Sequence, residues 1–294
     1  MSIVTFWNED REQTGKTLTA VAVATKMAIE RNFKILLLST SYMEPTVKNC
    51  FWTDNIQKNL GLLAGKNNSI AVENGIEGLS KLISSNKIQP TIITDYTRVI
   101  FKDRLEVLNG FSGSPDTTDD GNLLNYKKTS QSYPELIKLA NQFYDMVLVD
   151  IDSMLDKTIR DQILEMANVN VLVISQRLES LNRYNERKKT DKQITGPKCI
   201  PVIGKYNKNS KYNKKNMMRY LNEKKDLNLV PFNTLFFEAA EEASVTEFFL
   251  KMRDIKDTTD DNYIFMSEVL KLTNNIITRL QDLQMKMRWE NVNI

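Results

Sequence analysis

The sequence predicts an α/β fold, a mostly parallel central sheet flanked by helices. Three observations carry this. Short continuous Val/Ile/Leu runs recur along the chain, as strands covered on both faces do. Helical apolar patterns separate them. The tripeptide Gly15-Lys16-Thr17 stands where the first strand gives way to the first helix, the position at which α/β folds hold phosphate.

Residues 3–7 form the first apolar run, and Leu18, Val21, Ala22, Thr25, Ala28 and Ile29 then recur at helical spacing. FKILLLSTS (33–41) is the second strand and DRLEVLNG (103–110) the third. YDMVLVDID (144–152), after the helical YPELIKLANQF, is the fourth. VNVLVISQ (169–176), KCIPVIGKY (198–206) and DLNLVPFN (226–233) follow, with helical patterns between them. Residues 112–132, SGSPDTTDDGNLLNYKKTSQS, are polar and rich in Gly, Ser and Asp, which predicts a long surface loop. The segment 262–289 is one long helical pattern with Ile264, Phe265, Val269, Leu270, Leu272, Ile276, Ile277, Leu280 and Leu283. No Pro/Gly/Ser-rich linker divides the chain, so residues 1–294 are expected to form one domain.

With 294 residues and 41% hydrophobic content, the chain can bury a substantial core without a covalent staple. A net charge of +3 is too small to imply nucleic-acid binding by itself. Cys50 and Cys199 lack metal-ligand spacing and do not make a disulfide framework. No apolar run approaches a membrane span and no secretory pattern opens the chain, so a cytoplasmic protein is expected. The count of histidines is 0, which removes Ser-His and Cys-His nucleophile pairs and histidine metal ligands together. Chemistry must rest on Lys, Arg, Asp, Glu, Ser, Thr and backbone amides.

A phosphate loop works because backbone N–H groups and a helix N-terminus converge on anionic oxygens, with a lysine completing the cradle and a Ser/Thr hydroxyl holding Mg²⁺. Gly15-Lys16-Thr17 has that context. The full G-x-x-x-x-G-K-[ST] pattern requires glycine at position 10, where Asp10 stands.

Over nearly its whole length the chain resembles the MinD/ParA family of deviant Walker A ATPases. That family opens with a strand, a Lys-Gly-Gly-x-Gly-Lys-Thr loop and a helix. Here the loop reads REQTGKT: Arg11 stands at the signature lysine, Glu12 and Gln13 replace two glycines, Thr14 takes the free position, and Gly15, Lys16 and Thr17 match. The resemblance implies that residues Asp10 to Leu18 wrap ATP. It implies that Lys16 contacts phosphate, that Thr17 supports Mg²⁺, and that Arg11 reaches a nucleotide across an ATP-dependent homodimer. The family's second strand usually ends Asp-x-Asp-Pro-Gln, where this chain has Ser39 and Ser41. A hydroxyl can hydrogen-bond the attacking water but is a poor base, so slow or absent hydrolysis is expected. Glu44 is nearby at the wrong spacing. YDMVLVDIDSML resembles the Walker B and switch II strand, which assigns Asp150 to the Mg²⁺ shell and Asp152 to the switch. Pro231, Phe232 and Asn233 match the loop against the base, or serve loop packing alone, and Gly204 stands where the family often has an adenine-contacting Asn. The residues expected to act on ATP are Arg11, Lys16, Ser41 and Asp152, with the metal at Thr17 and Asp150.

Residues 205–225 gather Lys205, Lys208, Lys211, Lys214, Lys215, Arg219, Lys224 and Lys225 against Glu223. Such a run is a solvated face, or a contact for DNA phosphates or acidic lipid headgroups. The terminal helix, with Lys286, Arg288 and Trp289 near its end, is read as packed on the sheet in preference to a peripheral membrane helix at the inner face of the membrane. The degraded loop is most similar to the TadZ/CpaE branch, implying an ATP switch that positions a pilus or secretion machine. The alternatives are a partition ATPase that grips non-specific DNA through 205–225, an ATP-dependent biosynthetic ligase or kinase on the same fold, and a scaffold whose loop has lost nucleotide binding because Glu12 and Gln13 crowd the phosphates.

Overall fold

The computed structural model describes residues 1–9, 13–53, 75–85, 89–223 and 227–292, with side chains through 286. In chain order the elements are β1 (Ser2–Trp7), α1 (Lys16–Glu30), β2 (Ile35–Ser39), α2 (Thr46–Asn49), α3 (Ile76–Ser84), β3 (Arg98–Phe101) and β4 (Leu105–Leu108). Then come α4 (Asp119–Ser130), α5 (Tyr133–Ala140), β5 (Met146–Asp150), α6 (Lys157–Met166), β6 (Val169–Ile174), α7 (Leu178–Arg187), α8 (Lys192–Thr195) and β7 (Cys199–Tyr206). The last are α9 (Lys214–Tyr220), β8 (Asn228–Pro231), α10 (Thr234–Glu241), α11 (Val245–Lys251) and α12 (Asp261–Val292).

The strands form one 8-stranded sheet in the order β3-β4-β2-β5-β1-β6-β7-β8. All neighbours pair in parallel except β3 with β4. Alternation along each strand sends residues to opposite faces. Val4, Phe6, Leu37 and Leu148 pack with α1, α10, α11 and α12 on one side, whereas Ile3, Leu36, Leu38, Val147 and Val149 pack with α3, α5, α6 and α7 on the other. Because both faces are covered, the strands read as unbroken apolar runs. Helix α1 is buried from Thr19 to Ala28, being pressed between the sheet and α12.

Most of the predicted stripe of the last helix is in the core, while Ile264 and Leu270 are half-buried outside it. Phe265, Val269, Leu272, Ile276 and Leu280 join Phe236, Phe248 and Phe249 in the core. Each such buried side chain contributes roughly 2 kcal/mol, which fixes α12 across α1. Arg288 and Trp289 lie outside the described side chains. Among the described residues no helix is long and apolar enough to cross a membrane.

Two expectations are corrected. Residues 112–132 are not one loop, since 119–130 form α4. The Thr118 Oγ1 caps it by accepting from Gly121 N at 3.2 Å, and Asp119 and Asp120 at the start with Lys127 and Lys128 at the end complement its dipole. Asn122 and Tyr126 are its buried anchors. The third predicted run is also only half of what forms: it supplies β4, and the preceding residues 98–101 return antiparallel to it as β3 through a turn with Asp103 at φ 58°.

Candidate nucleotide site

The register places the carboxyl ends of β1, β2 and β5 side by side, with Asp150 opposite both Phe6 and Ser39. This is the crevice in which open α/β sheets bind ligands. Helix α1 starts there. Gly15 caps it in the left-handed region at φ 81°, which glycine adopts without strain. No side chain caps the helix and no acidic residue occupies its first turn, so its leading amides and the positive end of its dipole are not answered by a residue of the helix itself.

Lys16 and Thr17, in the first turn of α1, converge on Asp150 at the end of β5. Lys16 Nζ is 2.9 Å from Asp150 Oδ1, the two side chains being 11% and 4% exposed. It also donates to the carbonyl of Ile151. Thr17 Oγ1 donates to Asp150 Oδ2 at 2.9 Å. A lysine, a hydroxyl and one carboxylate thus share a single point at a helix N-terminus. That donor set suits Mg²⁺, which takes one or two carboxylates plus substrate phosphates. Among the described residues there is no cluster of three or more acidic or cysteine side chains that would make a purely protein cage.

The residues present fit a phosphate group on a further count. Thr14 Oγ1 is buried with no hydrogen-bond partner among the described residues, on the segment that leads into the uncapped helix start. Gln13 is exposed and Leu18 half-buried. Asp10, Arg11 and Glu12 lie outside the described residues, as do Lys224 and Lys225.

The segments that follow β2 and β5 are tied together. Thr40 N and Thr40 Oγ1 donate to the carbonyl of Asp150, at 3.0 and 3.2 Å, and Thr40 Oγ1 accepts from Asp152 N at 2.8 Å. The Asp152 carboxylate accepts from Tyr42 N at 3.3 Å and from Met154 N at 2.6 Å. Ser41 is buried, with its Oγ unpartnered among the described residues. Its backbone is so close to Gly110 that a Cβ there would lie 2.6 Å from the Ser41 carbonyl. Glu44 is exposed. Thr40 was not singled out by sequence reasoning, because a threonine at a strand end carries no pattern of its own.

On the far side, β7 buttresses the loop. A Cβ on Gly204 would fall 2.2 Å from the carbonyl oxygen of Thr14, so this glycine is where the backbone of the segment leading into α1 rests on the sheet. That contact gives the departure at position 204 a physical reason.

Pro231 ends β8 and Phe232 follows it, 52% exposed. With Gly15, Lys205 and Phe237 they line a small apolar cavity of about 30 Å³. Asn233 is engaged in structure: its side chain caps α10 by accepting from Phe236 N at 2.8 Å and donates to Asn262 Oδ1 at 2.9 Å. The structure therefore brings Thr14 to Leu18 and Asp150 to one point, with Asp152 and Ser41 on the linked segments beside it.

No protein-family model matches the chain, and no curated protein matches its sequence. Solved structures do match its fold. A ParA family ATPase from Chlorobium tepidum TLS is 14% identical over 92% of this chain and 98% of its own, with a TM-score of 0.65. The septum site-determining protein MinD from Pyrococcus horikoshii OT3, complexed with Mg-ADP, is 13% identical over 94% of this chain and 95% of its own, with a TM-score of 0.61. A putative plasmid partition protein from Borrelia burgdorferi B31, bound to AMPPNP, is 15% identical over 93% of this chain and 98% of its own, with a TM-score of 0.56. The eight-stranded, mostly parallel sheet, with helices on both faces, thus gives this chain the fold of the MinD and ParA ATPases.

Proposed function

We propose that the chain is a MinD/ParA-type nucleotide switch of one domain: it binds ATP with Mg²⁺, pairs with a second copy when loaded, and positions a larger assembly such as a pilus or secretion machine. The observation that carries this reading is the convergence of Lys16 and Thr17 on Asp150 beneath an uncapped helix start. Lys16 would swing from Asp150 to phosphate oxygens, and Thr17 with Asp150 would hold the metal, which neutralises phosphate charge when bound. The Mg-ADP and AMPPNP carried by two of the structural neighbours support the ligand class.

Turnover is slow in this reading. Ser41 brings no carboxylate to orient or deprotonate water, and Asp152 spends its oxygens on two backbone amides. ATP then acts by shifting a population between two states.

Isothermal titration calorimetry with Mg-ATP tests the core of the proposal. The chain is expected to bind saturably, and Lys16→Ala to weaken binding by at least about tenfold through loss of a charge-assisted contact. Absence of heat from the unaltered chain overturns it. Sedimentation with and without Mg-ATP checks the pairing, and phosphate release checks the slow turnover.

A second reading, partition through non-specific DNA, is favoured by one observation: Lys205, Lys208, Lys211, Lys215 and Arg219 are exposed in one stretch around the end of β7 and α9. An ATP-dependent, salt-sensitive electrophoretic shift supports it, and none at low salt removes it.

A further inference from the structure

The end of β7 holds a lysine in a conformation that lysine does not favour. Lys205 has φ 47°, in the left-handed region where a Cβ is strained. It falls at a register irregularity between Ile203 and Tyr206 in the pairing of β7 with β8. Strained residues that persist repay a search for what they do. The consequence of this one is local and clear: the turn lays the Lys205 side chain across the phosphate loop. Its Cγ, Cε and Cδ lie 2.9, 3.5 and 3.6 Å from where a Cβ on Gly15 would be. Three consecutive carbons at that range mean that the stem runs flat over the glycine that starts α1. The ammonium, one bond beyond Cε, is therefore delivered to the shoulder of the loop. It is exposed, and it has no ion pair or hydrogen bond among the described residues.

We propose that Lys205 is a second cationic arm of the phosphate loop, which binds the phosphates of the bound nucleotide from the β7 side while Lys16 binds them from α1. This rests on the nucleotide-binding reading above. The chemistry is direct: a compact ammonium on a flexible stem with three donors is suited to phosphate oxygens as a point charge. The stem has a packing partner in Gly15, so only the tip must be ordered on binding, which lowers the entropic loss.

The test is calorimetry of the full chain with Mg-ATP and Mg-ADP on Lys205→Gln, Lys205→Gly and Lys205→Arg, beside Lys16→Ala. Lys205→Gln and Lys205→Gly are expected to weaken both nucleotides by about tenfold, the size of one charge-assisted contact, and to flatten the salt dependence of binding. Lys205→Arg is expected to retain most of the affinity. Lys205→Gly relieves the left-handed strain, so its nucleotide-free melting temperature should hold or rise while its affinity falls, which a merely structural role does not predict. Unchanged affinity in Lys205→Gln, with affinity lost in Lys16→Ala, overturns the arm and leaves the switch reading standing. Tighter binding in Lys205→Gly also overturns it, by making the stem a plug over the site. An unaltered chain that takes up neither nucleotide overturns both.

Discussion

At Asp150 a carboxylate buried almost completely sits at the end of a central strand, where an isolated charge is destabilised by several kcal/mol. Lys16 and Thr17 answer it from adjacent positions of one helical turn, one with charge and one with a hydroxyl. Removing Lys16 leaves that charge buried without its counterion. Lys16→Ala should therefore lower the nucleotide-free stability by about 3 kcal/mol, read from urea midpoints. Asp150→Asn in the same background should recover much of the loss, because no charge is then left unpaired; simple additivity of the two changes counts against a direct pair. Cys50 shows burial acting on a different group. Desolvation first, then Glu241 and Asp150, push its thiol from 9.0 up to about 12, and burial does the same to Cys199. The thiolate fraction at pH 8 falls accordingly, so neither cysteine of the folded chain should react with iodoacetamide until denaturant is added, as mass spectrometry will read. Gly15, Lys16 and Thr17 were readable as a pattern between an apolar strand and a helix, and Asp150 through the family resemblance of the strand that it ends. Thr40 and Lys205 were not, since their parts depend on which strand ends the sheet brings together.

Helix α4 shows what periodicity misses. Its sequence is polar, and only Tyr126 and a few small polar residues are buried, so no apolar stripe announces it. What forms it is a cap, complementary end charges and one aromatic anchor. Tyr126 packs 5.0 Å from Tyr42 and 5.7 Å from Phe111 between ring centroids, and its hydroxyl donates to the Thr40 carbonyl at 2.8 Å. The helix thereby holds the segment after β2, which in turn holds Asp152. Thr118→Ala should cost about 1 kcal/mol through loss of the cap, measured in urea. Amide exchange should speed up first in α4 and in 40–42, and a loss confined to 119–122 would separate the helix from that segment. The edge pair β3 and β4 was half seen for a related reason: β3 offers only Val99, Ile100 and Phe101 as an apolar run, exposed or half-buried, shorter and less covered than the runs of the parallel strands.

Over the whole molecule, the site is held by groups from four strands of one sheet: β1 leads to the loop, β5 carries Asp150, β2 supports the segment beside it, and β7 supports the loop from the far side. The order β2-β5-β1-β6-β7 makes this possible, because it sets β1 and β5 next to one another and leaves β7 one strand removed, at the reach of Thr14 and Gly15. Stability and nucleotide affinity should therefore be linked through a residue that touches neither metal nor phosphate. Gly204 is that residue. A methyl group there meets the Thr14 carbonyl at 2.2 Å and the Val173 side chain at 2.8 Å, closer than atoms can pack, so the loop must lift. Gly204→Ala should lose about 1–3 kcal/mol as an overpacked core position does. A ligand at 100 times its Kd adds about 2.7 kcal/mol of stability by mass action, and this increment should shrink in the variant, because the amides that would receive the phosphates no longer point together. The measurement is the melting temperature of both proteins across a series of Mg-ATP concentrations. Parallel upward shifts would mean that β7 supports the fold alone; a rise in the unaltered chain that is blunted in Gly204→Ala shows that the sheet positions the loop for its ligand.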